Sequence, residues 1–452
     1  MNDDVVLQQD FQNPLSRPFD LFSLLRFAFP TIFMMVFVGM YTIVDTIFVA
    51  RFIHTNALSS INIVCPAINL ITGVGAMLAV GSSAVIARKM GEGNPEGACE
   101  NLSFITIFGI LLGLFLSVLG ILFIKPVLHF LGASEILLPY CHIYLMVLLL
   151  FLPVNLLQLI FQTLFVTAGR PGLGFLLALV AGLINITFDY IFIAKWRIGI
   201  AGAAISDGIG FLIIAVSGIL FFMRKKEVLH FSLPKFDLKL IIESAYNGSS
   251  EMVGQLSTAI TTIFFNGLMM RYLGEEGVAG ITIIIYSQFL LSTLYIGFSI
   301  GVAPIISYHY GSQNHAQLKK IFRMCIFLIL LTSIFIFIVS ILFAPHIVRF
   351  FSAEGSNVYC IALEGFFIFS FNFLFCGCNI FSSAFFTALS NGKVSALISF
   401  LRTFGFITTG LLILPNLFSV RGIWLAIPLA ELLTFFFSIT FLFLYRNKYE
   451  YM

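Results

Sequence analysis

Charge is what this sequence has least of. Only 10% of its 452 residues are Asp, Glu, Lys or Arg, where soluble domains carry about a quarter. A soluble chain of this length would fold as two or three domains, each with a charged coat, and the residues for such coats are missing. The shortage excludes an ordinary soluble enzyme or binding module. With 60% hydrophobic residues, the bilayer must be the solvent for most side chains.

Other absences narrow the chemistry. The seven cysteines, Cys65, Cys99, Cys141, Cys325, Cys360, Cys376 and Cys378, are odd in number and lie mostly in apolar stretches, so they read as packing residues rather than a disulfide framework. Cys376 and Cys378 are separated by a single residue, which matches no zinc spacing. There is no GxxxxGK[ST] loop for ATP and no HExxH, and the seven histidines are scattered; this argues against an enzyme and for no cofactor. The net charge of +3 comes from short basic clusters between apolar runs, so no nucleic-acid partner is expected. The polar, acidic start MNDDVVLQQDFQNPLSRPFD lacks the basic region and short apolar core of a cleavable signal peptide.

What is present is a series of long apolar runs. Stretches able to cross about 30 Å of hydrocarbon fall at 21–50, 57–86, 101–124, 137–167, 173–194, 201–223, 241–270, 277–307, 321–343, 357–388, 393–413 and 422–445. Twelve spans predict an all-α integral membrane protein. Pro30, Pro66, Pro153, Pro304 and Pro428 lie within spans, and each removes a backbone hydrogen bond at an expected kink. With the N-terminus inside, the segments on that side hold sixteen Lys and Arg against seven outside, and Arg402 stays within a span. That bias places both termini in the cytoplasm.

The longest polar connection, 224–240, separates 1–223 (spans 1–6) from 241–452 (spans 7–12), and the halves resemble each other. GSSAVIARKMGEGN (81–94) parallels GVAPIISYHYGSQN (301–314), FVTAGRPG (165–172) parallels FFTALSNG (385–392), and Gly202 parallels Gly422. The separation along the chain is the same for every pair (81 to 301, 165 to 385, 202 to 422). Six spans between equivalent points give the halves the same orientation. They form a parallel repeat about an axis along the membrane normal: two six-helix lobes with a cleft between them. Rocking such lobes exposes the cleft to alternate faces, and without an ATP loop an ion gradient is the default drive.

A carboxylate at bilayer depth is costly unless it is protonated, paired or holding a cation. Asp45, Asp189 and Asp207 all fall in the outer half of the first lobe, and Asn185 is one turn before Asp189 on the same helix face, with Thr187 and Tyr190 turned away. Carboxylates gathered in low dielectric cannot all stay ionised without a counter-cation, so the group has the chemistry of a proton or cation site, with the Asn185 amide oxygen available to Na⁺. The plain alternative is that each aspartate caps a helix end or faces water separately. The equivalent positions of the second repeat are Phe265, Thr409 and Ile427, so the second lobe lacks the cluster. It carries Arg402 in span 11 and Glu431 in span 12, read as an ion pair that locks the lobe. Glu251 and Glu364 read as cleft or interface residues. Most of the 54 phenylalanines face lipid or fill helix contacts, and an aromatic, mildly acidic cleft would suit lipophilic cations.

Taken together, Pro30 with Asp45, the ARKMGEGN loop, the FVTAGRP turn, NITFD and GIAGAAIS resemble the multidrug and toxic compound extrusion (MATE) family, in its prokaryotic DinF/MepA-like branch. The resemblance covers essentially the whole chain. It implies a monomeric antiporter in a bacterial plasma (inner) membrane that exports lipophilic, cationic drugs against inward H⁺ or Na⁺. It also implies an ion site at Asp45, Asn185 and Asp189, the three residues to which Na⁺ would bind. At the helix 6 position, where the family has a hydroxyl, this sequence has Asp207 beside Ser206, which leaves the choice of ion open. A lipid-linked precursor flippase is the alternative transport reading; it would need a cationic cleft where this chain is acidic.

Overall fold

The computed structural model describes residues 13–53 and 55–452. The described residues form helices and short connections throughout, and the twelve apolar runs become twelve membrane-length helices. In chain order they are α1 (Leu21–Phe52), α2 (Thr55–Gly91), α3 (Pro95–Leu122), α4 (Leu138–Leu150 with Leu152–Thr167), α5 (Pro171–Asp189, continued by a π-helical turn over Tyr190–Lys195) and α6 (Ile200–Phe222). Helices α7 and α8 are the two arms of Leu238–Gly311, on either side of Gly274. They are followed by α9 (His315–Phe351), α10 (Asn357–Phe369 and Phe373–Ala388), α11 (Gly392–Phe400 and Phe406–Phe418, joined by a π-helical turn over Leu401–Gly405) and α12 (Val420–Tyr449).

The breaks have local causes. Gly274 sits at φ 65°, ψ −152°, a backbone conformation open to glycine but strained for residues with a Cβ, and it turns what would be one continuous helix into two. The expected kink at Pro153 is the 55° bend between the segments of α4: proline leaves a carbonyl without its donor and the axis bends there. At Pro30, Pro66, Pro304 and Pro428 the helix continues through the proline. The two π-helical turns carry no proline signal, and the apolar pattern gives no sign of them.

The repeat is visible in the packing. Gly81 of α2 lies so close to α7 that an added Cβ would overlap the Ser244 carbonyl oxygen, and its counterpart Gly301 of α8 lies against Ala28 and Thr31 of α1. Gly91 faces Tyr308 while its counterpart Gly311 faces Arg88. The contact of α2 with α7 is thus repeated, at equivalent positions of the second repeat, by α8 with α1. Small residues allow the backbones to meet where lipid supplies no hydrophobic drive for association. These contacts join the halves at the end of the bundle that carries the 223–238 connection, called the linker end below. Gly248→Ala is expected to push α2 from α7, because the new methyl would overlap the Met77 carbonyl. Cross-linking yield between the halves at the linker end would fall severalfold, and an unchanged yield would contradict the packing.

The connection itself is not free. Phe231 donates its N–H to the Phe222 carbonyl (2.7 Å) and packs on Phe161 and Phe222. Its counterpart in the second repeat, Tyr451, donates its hydroxyl to the Leu442 carbonyl (2.6 Å) and packs on Phe322 and Phe385. The start of the connection is therefore the tail of the first repeat. Leu229 is fully buried there, Ser232 N–H donates to Ser103 Oγ (2.9 Å), and Lys235 reaches Glu100 (2.6 Å). Large apolar side chains such as Phe115, Leu122, Leu331 and Phe335 are exposed on the helices, the surface expected of a chain solvated by lipid.

Candidate acidic site in the first lobe

Helix α5 brings Asn185 and Asp189 into the first lobe one turn apart, 3% and 0% exposed. Thr187 and Tyr190 are exposed, as the helical period requires. The α-helix ends at Asp189 and the next six residues wind as a π-helix, a register change that loosens backbone pairing just beyond the buried carboxylate. Asp45 of α1 lies against Asp189. From α6, Asp207 Oδ1 accepts a hydrogen bond from Asn185 Nδ2 at 3.0 Å. Ser206 flanks Asp189, and its hydroxyl also lies 2.9 Å from the Gly202 carbonyl, to which it donates.

The outcome is an excess of acceptors. Both oxygens of Asp189, Oδ1 of Asp45 and Oδ1 of Asn185 are buried without a hydrogen-bond donor among the described residues. Buried polar atoms nearly always have partners, and oxygens left bare at contact distance repel one another until a proton or a cation stands between them. The Asn185 amide is oriented by its bond to Asp207, which turns its oxygen to the unpaired side. No three His, Cys, Asp or Glu side chains among the described residues converge as a metal site. The acids instead form a contacting pair, Asp45 with Asp189, linked through α5 to an Asp207–Asn185 unit.

Beside this group is a cavity of about 20 Å³ whose walls include Tyr41, Gln158, Gln162, Gly182, Asn185 and Asp207. That is room for one water molecule. Gln158 Nε2 donates to Gln162 Oε1 (3.1 Å). Sequence reasoning missed these two amides; two glutamines one turn apart on an apolar helix were the available signal. Gly182 leaves space for the Phe37 and Tyr41 rings.

The second lobe holds the expected pair. Arg402 Nε donates to Glu431 Oε1 at 2.7 Å, and Glu431 is 2% exposed. Asn379, not recognised in the sequence, donates to Glu431 Oε2 (2.7 Å) and to the Glu431 carbonyl (2.8 Å), and its own Oδ1 accepts from Ser438 (2.9 Å). Arg402 sits in the π-helical turn of α11. In the repeat, Arg402 and Glu431 are the counterparts of Gly182 and Phe211, both of which line the first lobe's cavity. A charge pair therefore occupies in one lobe the positions that border open space in the other. Glu364 pairs with Arg421 (3.0 Å) at an exposed position.

A family model described as MatE matches residues 30–191 and 252–409, one block in each half. The chain belongs to the MatE family. Two curated relatives are named multidrug export protein MepA. The one from Staphylococcus saprophyticus is 21% identical over 410 residues, covering 89% of this chain and 87% of its own. The one from Staphylococcus aureus strain bovine RF122 / ET3-1 is 22% identical over 435 residues, covering 94% of each. Among solved structures, a MATE protein in complex with MaL6 superposes with TM-score 0.91 at 19% identity over 98% of this chain and 99% of that one. A multidrug resistance MATE family transporter of the MOP superfamily, in its outward-facing conformation, gives 0.89 at 20% identity over 98% of each. These likenesses fix the twelve-helix MATE fold of a multipass membrane transport protein.

Proposed function

We propose that this MATE-family chain exports lipophilic, cationic drugs in exchange for H⁺ or Na⁺, by alternating access between its two lobes in a bacterial plasma membrane, with both termini cytoplasmic. The observation that carries the reading is the set of donor-less oxygens on Asp45, Asp189 and Asn185. A proton shared by Asp45 and Asp189, or a Na⁺ held by their carboxylates with the Asn185 amide oxygen, would satisfy those atoms. Ser206 supplies a further lone pair and Asp207 holds the amide in place. Ion loading neutralises charge that would otherwise attract a cationic drug, so ion and drug favour opposite occupancies of the same lobe. The relatives' printed name, multidrug export protein, supports drugs as the exported cargo.

The test is drug movement in sealed vesicles under an imposed pH step, an imposed Na⁺ step, or neither. Drug should accumulate under at least one gradient and equilibrate without it. Accumulation that ignores both gradients would refute the exchange reading.

A further inference from the structure

Besides the glycine contacts, a charged side chain crosses between the halves at the linker end. Arg88, at the end of α2, reaches across to the second half, where its Nη1 lies 2.7 Å from Glu243 Oε1 of α7 and donates to Ser390 Oγ between α10 and α11, also at 2.7 Å. Its Nε lies 3.2 Å from Glu92 in its own half. The repeat does not duplicate the arrangement, for the counterparts of Arg88, Glu243 and Ser390 are Tyr308, Ser23 and Arg170. Arg88 therefore makes a tie that the other side of this nearly symmetric interface does not duplicate.

What it holds together is an interface that water would reward for opening. Ser244, pressed against Gly81, and Thr31, pressed against Gly301, are fully buried, and their hydroxyl oxygens have no hydrogen-bond partner among the described residues. His309 of α8 is 1% exposed with both ring nitrogens unpartnered among the described residues, its ring edge-on to Phe19 of the other half. Each such group loses its hydration in the closed arrangement and regains it when the lobes part. Backbone contact at the glycines and the Arg88 tie act in the opposite direction.

We propose that Arg88 is the latch of a gate at the linker end, holding the lobes shut there through Glu243 and Ser390 against the pull of hydration on Thr31, Ser244 and His309. The inference rests on the alternating-access reading above. It adds which residue sets the balance between states. In this role Arg88 acts through the position of the lobes.

The test measures lobe separation in the full chain, reconstituted in lipid. Spin labels on cysteines replacing the exposed Lys226 and Lys393 report the distance between halves, after the exposed Cys65 and Cys360 are changed to serine. Arg88→Gln and, as the milder change, Glu243→Gln should each raise the open-to-closed ratio about tenfold, the loss expected for a hydrogen bond to a charged group. The exchanged pair Arg88→Glu with Glu243→Arg should bring it back toward the wild-type value. Distances that move with ion or drug in the wild type, yet are the same in Arg88→Gln, would overturn the latch and leave alternating access standing. An exchanged pair as open as Arg88→Glu alone would also overturn it. A single fixed distance in wild type and variants under every ion and drug condition would sink alternating access, and the latch with it.

Discussion

Asp45→Asn or Asp189→Asn should abolish gradient-driven drug accumulation while leaving the protein in the membrane. A pH step of one unit stores about 1.4 kcal/mol per proton, so each exchanged proton can support roughly tenfold accumulation. An amide at either position removes half of the contacting carboxyl pair, and with it the means of taking up a proton or Na⁺ there. The inside-to-outside drug ratio should then fall to about one, its value without a drive. Drug binding can survive, since an aspartate-to-asparagine change keeps the shape of the site. A direct binding measurement on the same variants thus separates loss of coupling from loss of substrate. Full accumulation in both variants would eliminate the first-lobe acids as the coupling site. Asp207→Asn should act less severely, because Asp207 meets Asn185 rather than the contacting pair, and its main loss is the orientation of that amide.

The second large effect concerns the other lobe and is one of stability. Glu431→Ala strips Arg402 of its 2.7 Å partner and Asn379 of an acceptor. Removing one member of a buried ion pair typically costs about 3–5 kcal/mol, since the remaining charge is left uncompensated. Replacing both members with apolar residues, Arg402→Met with Glu431→Leu, should recover most of that loss, because desolvation of the charges offsets much of their attraction. Thermal unfolding in detergent would show a much lower midpoint for the single change than for the double. If the double variant folds and still accumulates drug, the pair is a structural lock. A stable but inactive double variant would instead make it part of coupling.

The repeat explains why these two predictions differ in kind. Open space bounded by Gly182 and Phe211 in one lobe is matched by Arg402 and Glu431 in the other. One lobe keeps carboxylates short of donors beside a water-sized cavity; the other satisfies its carboxylate completely with Arg402 and Asn379. In the proposed function the first lobe is the one that takes up a cation, whereas the second already holds the Arg402 guanidinium against its carboxylate.

The sequence by itself determined the class of solvent, the number of spans, the twofold repeat and the isolation of Asp45, Asp189 and Asp207 in one half. Hydropathy and a constant spacing between matched segments are one-dimensional properties, and the cost of charge in lipid leaves few acids to choose among. It also pointed to the pairing of Arg402 with Glu431, because the two lie within neighbouring spans of one lobe. Tertiary structure alone decided who touches whom. Only the packing of α1 against α5 and α6 showed that Asp45 meets Asp189 while Asn185 turns to Asp207. Asn379 and the glutamines of α4 carry no charge, and an uncharged amide in a helix gives no sign of its partner until the neighbouring helix is in place. The crossing of Arg88 to Glu243 lies beyond any sequence pattern for the same reason. Positions in opposite halves of the chain became neighbours because small residues let the two lobes come into backbone contact.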